Sequence, residues 1–169
     1  MKIKKCRSCG GDKLKPAFDL GLQKLTGIFP SKPSEKIPSG SLALVFCNNC
    51  KLLQLENSFD PIKMYGDNYG YMSSLNLSMV RHLKKKALKI KRILNLETND
   101  LVVDIGSNDG ILLKYFKDYG MEVLGIDPMP GIAEKASENG IPTLPDFFNE
   151  DYALDLRNKR GAASVISSN

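Results

Sequence analysis

The sequence contains no apolar run approaching the roughly 20 residues that a membrane-spanning helix needs. Its N-terminus, MKIKKCRSCGG, lacks the hydrophobic stretch of a signal peptide. A cytoplasmic chain with no membrane partner and with reduced thiols is therefore expected. Histidine, the side chain most used for proton transfer near neutral pH, occurs once in 169 residues. Neither sign of charge dominates strongly: 24 basic against 19 acidic residues leave +5, which favours an anionic partner but does not require nucleic acid. The G-x-G-x-x-G dinucleotide fingerprint and the G-K-S/T ending of a phosphate-binding loop are both missing. What remains, 42% hydrophobic and 25% charged residues, is the composition of a folded domain.

Against these absences stand four cysteines in two C-x-x-C pairs, Cys6 and Cys9 in CRSCGG and Cys47 and Cys50 in CNNC. Each short turn aims two sulfurs at one point, so two such knuckles place four thiolates tetrahedrally around one Zn2+. A thioredoxin-type redox pair would sit at a strand-helix junction, and neither pair does. Cys6, Cys9, Cys47 and Cys50 are thus expected to ligate a structural zinc. Between the knuckles, PAFDLGLQKL and SLALVFC have the pattern of short strands, and FPSKPSEKIPSGS, rich in proline and small polar residues, that of a loop. A module with so few apolar residues relies on its metal to fold. After it, KLLQLENSFDPIKMY leads the chain outward.

The next segment, MYGDNYGYMSS, concentrates Tyr65, Tyr69, Tyr71, Ser73 and Ser74. It is either a loop packed on a neighbouring face, with Ser73 or Ser74 capping the following helix, or a substrate-facing lip. The helix is marked by Leu77, Val80, Leu83, Ala87, Ile90 and Leu94 at spacings of three and four, with Lys84, Lys85, Lys86, Lys89 and Lys91 mostly off that stripe. A zinc module followed by a basic helix also fits a nucleic-acid-binding protein. Base-reading motifs are absent, so nucleic acid is the disfavoured partner.

DLVVDIG is a short β-branched run of buried-strand type, and DGILLKYFKDYG is a helix closed by Gly120. EVLGID then ends a second strand at Asp127, and a second helix runs over about Gly131 to Asn139. This β-α-β-α order places the turn Gly106-Ser107-Asn108-Asp109-Gly110 at the carboxyl end of a parallel strand, where open α/β sheets bind ligands. Such a unit is also compatible with a nicotinamide-binding or nucleotide-free Rossmann-like domain.

D-x-G-x-x-x-G over Asp104 to Gly110, with an acid ending the second strand, resembles motifs I and II of class I S-adenosylmethionine-dependent methyltransferases. The resemblance implies that Asp104 meets the cationic methionine end of the cofactor, that Gly106 lets the main chain approach it, and that Asp127 accepts the ribose hydroxyls. With the cysteine pairs and YGDNYGYMSS added, the chain resembles the N-terminal part of the zinc-containing sugar C-methyltransferases, which act on nucleotide-linked keto-deoxysugars. That resemblance implies zinc on the four cysteines, and Gly106, Ser107, Gly110, Asp127 and Pro128 against the cofactor. It further implies Tyr69, Tyr71 and Ser73 near substrate or the methionine end, and Asp146 and Phe147 of PDFF near the adenine.

The fold expected is α/β: a small zinc-ribbon-like β module over 1–64, a Tyr/Ser-rich segment and linker helix over 65–95, and a partial, truncated Rossmann-like unit over 96–169. Two departures from the family pattern stand out. Ser164 replaces the aspartate usual before the fourth strand, and the sequence stops at Asn169, where the family continues into the segment carrying its proposed catalytic histidine. The single His82 lies in the basic helix, and Asp109 suits hydrogen bonding within its loop better than proton transfer. An enzyme fragment inactive alone, needing a C-terminal half or a complementing chain, is the expectation. An O- or N-methyltransferase with a zinc-stabilised substrate domain, and a zinc-ribbon nucleic-acid-binding module, are the other readings.

Overall fold

The structure, a computed structural model, describes residues 1–25, 30, 32–65 and 69–168. Phe29 and Ser31 of the proline-rich loop, and Gly66, Asp67 and Asn68 of the tyrosine-rich segment, lie outside the described residues. The chain divides into two compact units, Met1–Gly70 and Tyr71–Asn169.

In the first unit three antiparallel strands form one sheet in the order β1-β2-β3: β1 (Leu14–Lys24), β2 (Ser39–Cys47) and β3 (Leu53–Leu55). β2 runs directly into the second cysteine pair, which turns the chain back so that Val45 pairs with Gln54. β1 pairs with β2 from Leu14 opposite Cys47 to Lys24 opposite Ser39, with irregularities at Pro16/Phe18 and Asp19/Leu22. At the second of these Gly21 takes φ +69° and its N–H bonds to Asp19 Oδ1 at 2.8 Å, the local kink expected where a strand bulges. β1 is exposed along most of its length. A single-turn helix α1 (Pro61–Met64), capped by Asp60, follows.

The second unit has a four-stranded parallel sheet in the order β6-β5-β4-β7: β4 (Leu101–Ile105), β5 (Glu122–Ile126), β6 (Thr143–Leu144) and β7 (Val165–Ser168). α2 (Leu77–Ile93), α3 (Ile111–Asp118), α4 (Pro130–Glu138) and α5 (Glu150–Arg160) complete it. Alternation along β4 sends Val102 to one face, where it joins Val123, Val165, Leu113 and Phe116, and Leu101 and Val103 to the other, with Leu124 and Ile126. A parallel sheet buried on both faces needs this continuous apolar strand. Among the described residues no helix is long and apolar enough to cross a membrane.

The structure draws its division at Gly70/Tyr71, whereas the sequence pattern set boundaries at 64 and 95. The expected linker helix is part of the second unit, because Leu83 and Ala87 of α2 are buried in the same cluster as Leu112 and Phe116. Leu77 and Leu94, at the ends of its apolar stripe, remain exposed. The cap of α2 also differs from expectation. Ser73–Leu75 forms a single 3-10 turn, and Asn76, with φ −104° and ψ 110°, caps the helix by accepting the N–H groups of Ser78 and Met79. Ser73 and Ser74 are unavailable as caps because the 3-10 turn sets the start of α2 two residues further on.

Candidate functional site

In the first unit the four cysteine sulfurs lie within 4.8 Å of one another. The Cys6–Cys50 and Cys9–Cys47 pairs are each at 3.6 Å, close to the ~3.8 Å that four sulfurs at 2.3 Å from one tetrahedral zinc would have. The two knuckles share a local geometry. Gly10 N–H bonds to the Cys6 carbonyl and Lys51 N–H to the Cys47 carbonyl, at 3.0 and 2.9 Å. The residue after each second cysteine is left-handed, Gly10 at φ +69° and Lys51 at φ +67°.

Main-chain N–H groups aimed at the sulfurs favour thiolates. The Cys9 amide, against the effect of burial, lowers the Cys6 thiol to about 6, and the Cys50 amide lowers that of Cys47. Cys50 receives the Leu52 amide, yet burial and the three neighbouring sulfurs push its thiol up to about 11. Four sulfurs this close cannot all ionise without a cation among them, so the donor set fits a thiolate-binding metal such as Zn2+. Buried Gln54, which the sequence pattern did not single out, donates from Nε2 to Cys6 Sγ at 3.1 Å. Its Oε1 is fixed by the Arg7 main-chain N–H at 3.0 Å. The Arg7 guanidinium continues to the Leu55 and Asn57 carbonyls and Ser58 Oγ, which orients a donor amide that no spacing rule reveals.

In the second unit the glycine turn follows β4. Gly106 (φ +70°) has open space where a Cβ would stand, so the main chain is accessible there. Gly110 (φ +73°) opens α3, and a Cβ on it would meet Ile141 at 2.9 Å. Asp104, 4% exposed, ends the buried part of β4, and Ser167 of β7 donates to its Oδ1 at 2.5 Å. Loss of water pushes the Asp104 carboxyl up to about 6, against the Ser167 hydrogen bond and the charge of Lys86. Asp127, 5% exposed, follows β5 and accepts the N–H groups of Asn108 on Oδ2 (2.8 Å) and Met129 on Oδ1 (3.0 Å). Burial likewise raises it, against those two amides. No salt bridge is formed by either carboxylate among the described residues.

A small cleft of about 20 Å³ brings together Ser73, Asp104, Gly106, Ser107 and Asn108. Ser107 Oγ is buried there and has no hydrogen-bond partner among the described residues. Gly125 makes the room for it, since a Cβ on Gly125 would lie 2.5 Å from that oxygen. Pro128 is half-buried between Asp127 and Met129. Asp146 and Phe147 are exposed beyond β6, at the same carboxyl end of the sheet, where Asp127 N–H bonds to the Leu144 carbonyl. Tyr71 stands at the glycine turn through its carbonyl, which accepts from Asn108 Nδ2 at 2.9 Å. Tyr69 belongs to the first unit, its ring 5.6 Å from that of Tyr65. His82 is exposed on α2, and Asp109 accepts the Ser74 N–H. Ser164, in the place of the family aspartate, donates to Asp100 Oδ1 at 2.6 Å.

A larger cavity, of about 320 Å³, lies elsewhere, lined by Leu101, Val103, Leu124, Leu154 and Ile166. It is lined by hydrocarbon and two arginines and has no carboxylate, whereas the smaller cleft holds Asp104 and the glycine turn. The cleft's buried Asp104, exposed Gly106 main chain and Ser107 hydroxyl, with Asp127 joined to the same turn through the Asn108 N–H, suit a ligand with a cationic group and vicinal hydroxyls, as S-adenosylmethionine has.

Residues 6–65 match the family model described as "Putative zinc binding domain". Over 169 residues the chain is 31% identical to the C-methyltransferase NovU of Streptomyces niveus, a match covering 97% of this chain and 39% of that protein. The chain therefore spans well under half the length of this curated relative. Among solved structures, the plantazolicin methyltransferase BpumL in complex with SAH is 19% identical with a TM-score of 0.34, covering 41% of this chain and 30% of that one. A SAM-dependent methyltransferase from Thiobacillus denitrificans, in complex with S-adenosyl-L-homocysteine, is 27% identical with a TM-score of 0.30 over the same shares.

Proposed function

We propose that this chain, a relative of the zinc-containing C-methyltransferases, provides the zinc-binding and cofactor-binding parts of an S-adenosylmethionine-dependent methyltransferase acting on a carbon of a nucleotide-linked keto-deoxysugar. One observation carries the reading. Two buried carboxylates that form no salt bridge among the described residues, Asp104 and Asp127, end adjacent parallel strands beside the accessible main chain of Gly106. Asp104 receives the cationic amino acid end of the cofactor, and that charge favours the ionised carboxylate that burial disfavours. Asp127 keeps lone pairs free beyond its two main-chain bonds to accept the ribose hydroxyls. Gly106, Ser107 and Gly110 let the main chain close on the ligand, Pro128 borders it, and Asp146 and Phe147 stand on the adenine side.

When bound, the cofactor supplies an electrophilic methyl group on a sulfonium. A carbon beside a ketone must lose its proton to a base before it takes that methyl, leaving S-adenosylhomocysteine. His82, exposed on α2, is not that base in this reading, and Tyr69 and Tyr71 are the residues of this chain assigned to the substrate side. The nucleotide sugar and a complementing C-terminal polypeptide are the partners, and the 169-residue chain alone turns over no sugar.

The test is calorimetric titration of the zinc-loaded chain with S-adenosylhomocysteine, beside Gly106→Leu. The φ of +70° and the open space over Gly106 predict that a branched side chain there strains the turn and fills the approach. Binding by the wild type and its loss in the variant is the expected result. A folded, zinc-loaded wild type with no heat of binding would overturn the cofactor assignment.

A further inference from the structure

The glycine turn does more than border the cleft, because its side chains tie down the segment that precedes α2. Asn108 Oδ1 accepts the Ser73 N–H at 2.8 Å, and Asn108 Nδ2 donates to the Tyr71 carbonyl at 2.9 Å. The neighbouring Asp109 Oδ2 accepts the Ser74 N–H at 2.9 Å. The main-chain N–H of the same Asn108 donates to Asp127 Oδ2 at 2.8 Å. Both ends of one amide side chain and one main-chain donor are therefore committed, on one side to Tyr71 and Ser73 and on the other to the carboxylate that ends β5.

Asn108 is 9% exposed and left-handed at φ +52°. Asparagine is the side chain that combines tolerance of this conformation with one acceptor and one donor in a plane. Aspartate would keep the acceptor and lose the donor, and leucine would lose both. Ser73, held by this amide, lines the cleft together with Asp104, Gly106 and Ser107. A shift of the turn therefore moves a wall of the cleft.

We propose that Asn108 is a positioning residue that couples occupancy of the cleft to the placement of Tyr71–Ser74. A ligand that donates hydroxyls to Asp127 fixes that carboxylate, the carboxylate fixes the Asn108 main chain, and the Asn108 side chain fixes Tyr71 and Ser73. The substrate-side segment is thus set in place by cofactor, before or with the second ligand. The identity of the ligand rests on the proposed function, whereas the coupling itself rests on these four hydrogen bonds.

The test is residue-resolved amide exchange on the full zinc-loaded chain with and without S-adenosylhomocysteine, for wild type, Asn108→Gly and Asn108→Asp. Glycine accepts the left-handed backbone and keeps the N–H to Asp127 while deleting both side-chain bonds. In the wild type, S-adenosylhomocysteine is expected to slow exchange of the Ser73 amide by about two- to tenfold, the worth of one ordinary hydrogen bond. In Asn108→Gly that amide is expected to exchange faster without ligand and to ignore its addition, with a dissociation constant raised by a similar factor. Asn108→Asp, which loses only the bond to Tyr71, is expected to respond less than the wild type, and it decides the question if the glycine variant loses protection in β4.

Ligand-bound wild type and variants with the same Ser73 exchange would overturn the coupling and leave the cofactor assignment standing. A folded wild type that does not bind S-adenosylhomocysteine would overturn the cofactor assignment and the coupling with it. A general loosening without coupling would raise Ser73 exchange in the variants but leave its ligand response intact, and that too would overturn the proposal.

Discussion

In the first unit the buried apolar side chains among the described residues are Cys6, Ala43, Val45 and Cys47, two of them sulfurs of the metal cluster. The second unit packs a cluster around Val102, Leu113, Phe116 and Val123 on one face of its sheet, and Leu101, Val103, Leu124 and Ile126 on the other. Phe18, Leu20 and Leu22 of β1 are exposed, so among the described residues no layer of that unit buries them. Apolar burial is what usually offsets the entropy of ordering a chain. The first unit has little of it and must draw on thiolate–metal bonds and on the Arg7 and Gln54 hydrogen bonds, whereas the second has a core and no need of a metal.

This contrast is open to direct attack. Stripping the metal with a chelator, or replacing Cys47 by serine, is expected to abolish amide protection across β1–β3 while β4, α3 and β5 stay protected. Exchange measured unit by unit checks this, and joint loss of protection in both units would break the contrast. Next in size, Leu113→Ala empties a fully buried site and is expected to cost about 2–5 kcal/mol. Denaturant melting of the second unit would read that cost, with the zinc content of the first unchanged.

The smallest effect sharpens the contrast in the opposite direction. Asp104 is held near 6 against an ordinary 3.8, so between those values the unfolded chain releases its proton first and stability falls as pH rises. Asp104→Asn is therefore expected to stabilise the second unit at pH 7 by up to about 3 kcal/mol, an advantage that disappears below about pH 4. Melts at both pH values test it. Stabilisation together with weaker S-adenosylhomocysteine binding would identify a unit stable enough to keep a costly buried charge for its ligand.

Much of the site was legible in the sequence because its parts are local. Two C-x-x-C turns define the four sulfurs, and one strand, turn and helix place Asp104, Gly106 and Gly110 in register, with Asp127 one crossover away. What escaped notice depends on distant partners. Asn108 meets Tyr71 and Ser73 some 35 positions earlier, Gln54 reaches Cys6 across 48, and Gly125 is required by Ser107 of a different strand end. None of these has a periodicity or a spacing. The cap of α2 was misplaced because Ser73, Ser74 and Asn76 are all good capping types, and only the 3-10 turn decides among them. The short β3 and the polar α5, in which no residue is fully buried, gave too weak an apolar pattern to stand out.

The outer position of β7 next to β4 has a consequence for how the polypeptide behaves in bulk. One row of its main-chain donors and acceptors faces away from the sheet, Ile166 is 64% exposed, and the 320 Å³ apolar hollow opens beside it. An edge of that kind recruits strands indiscriminately. Whether the described residues stay dispersed therefore depends on that edge being left open or covered by a further strand, independently of any chemistry at the cleft.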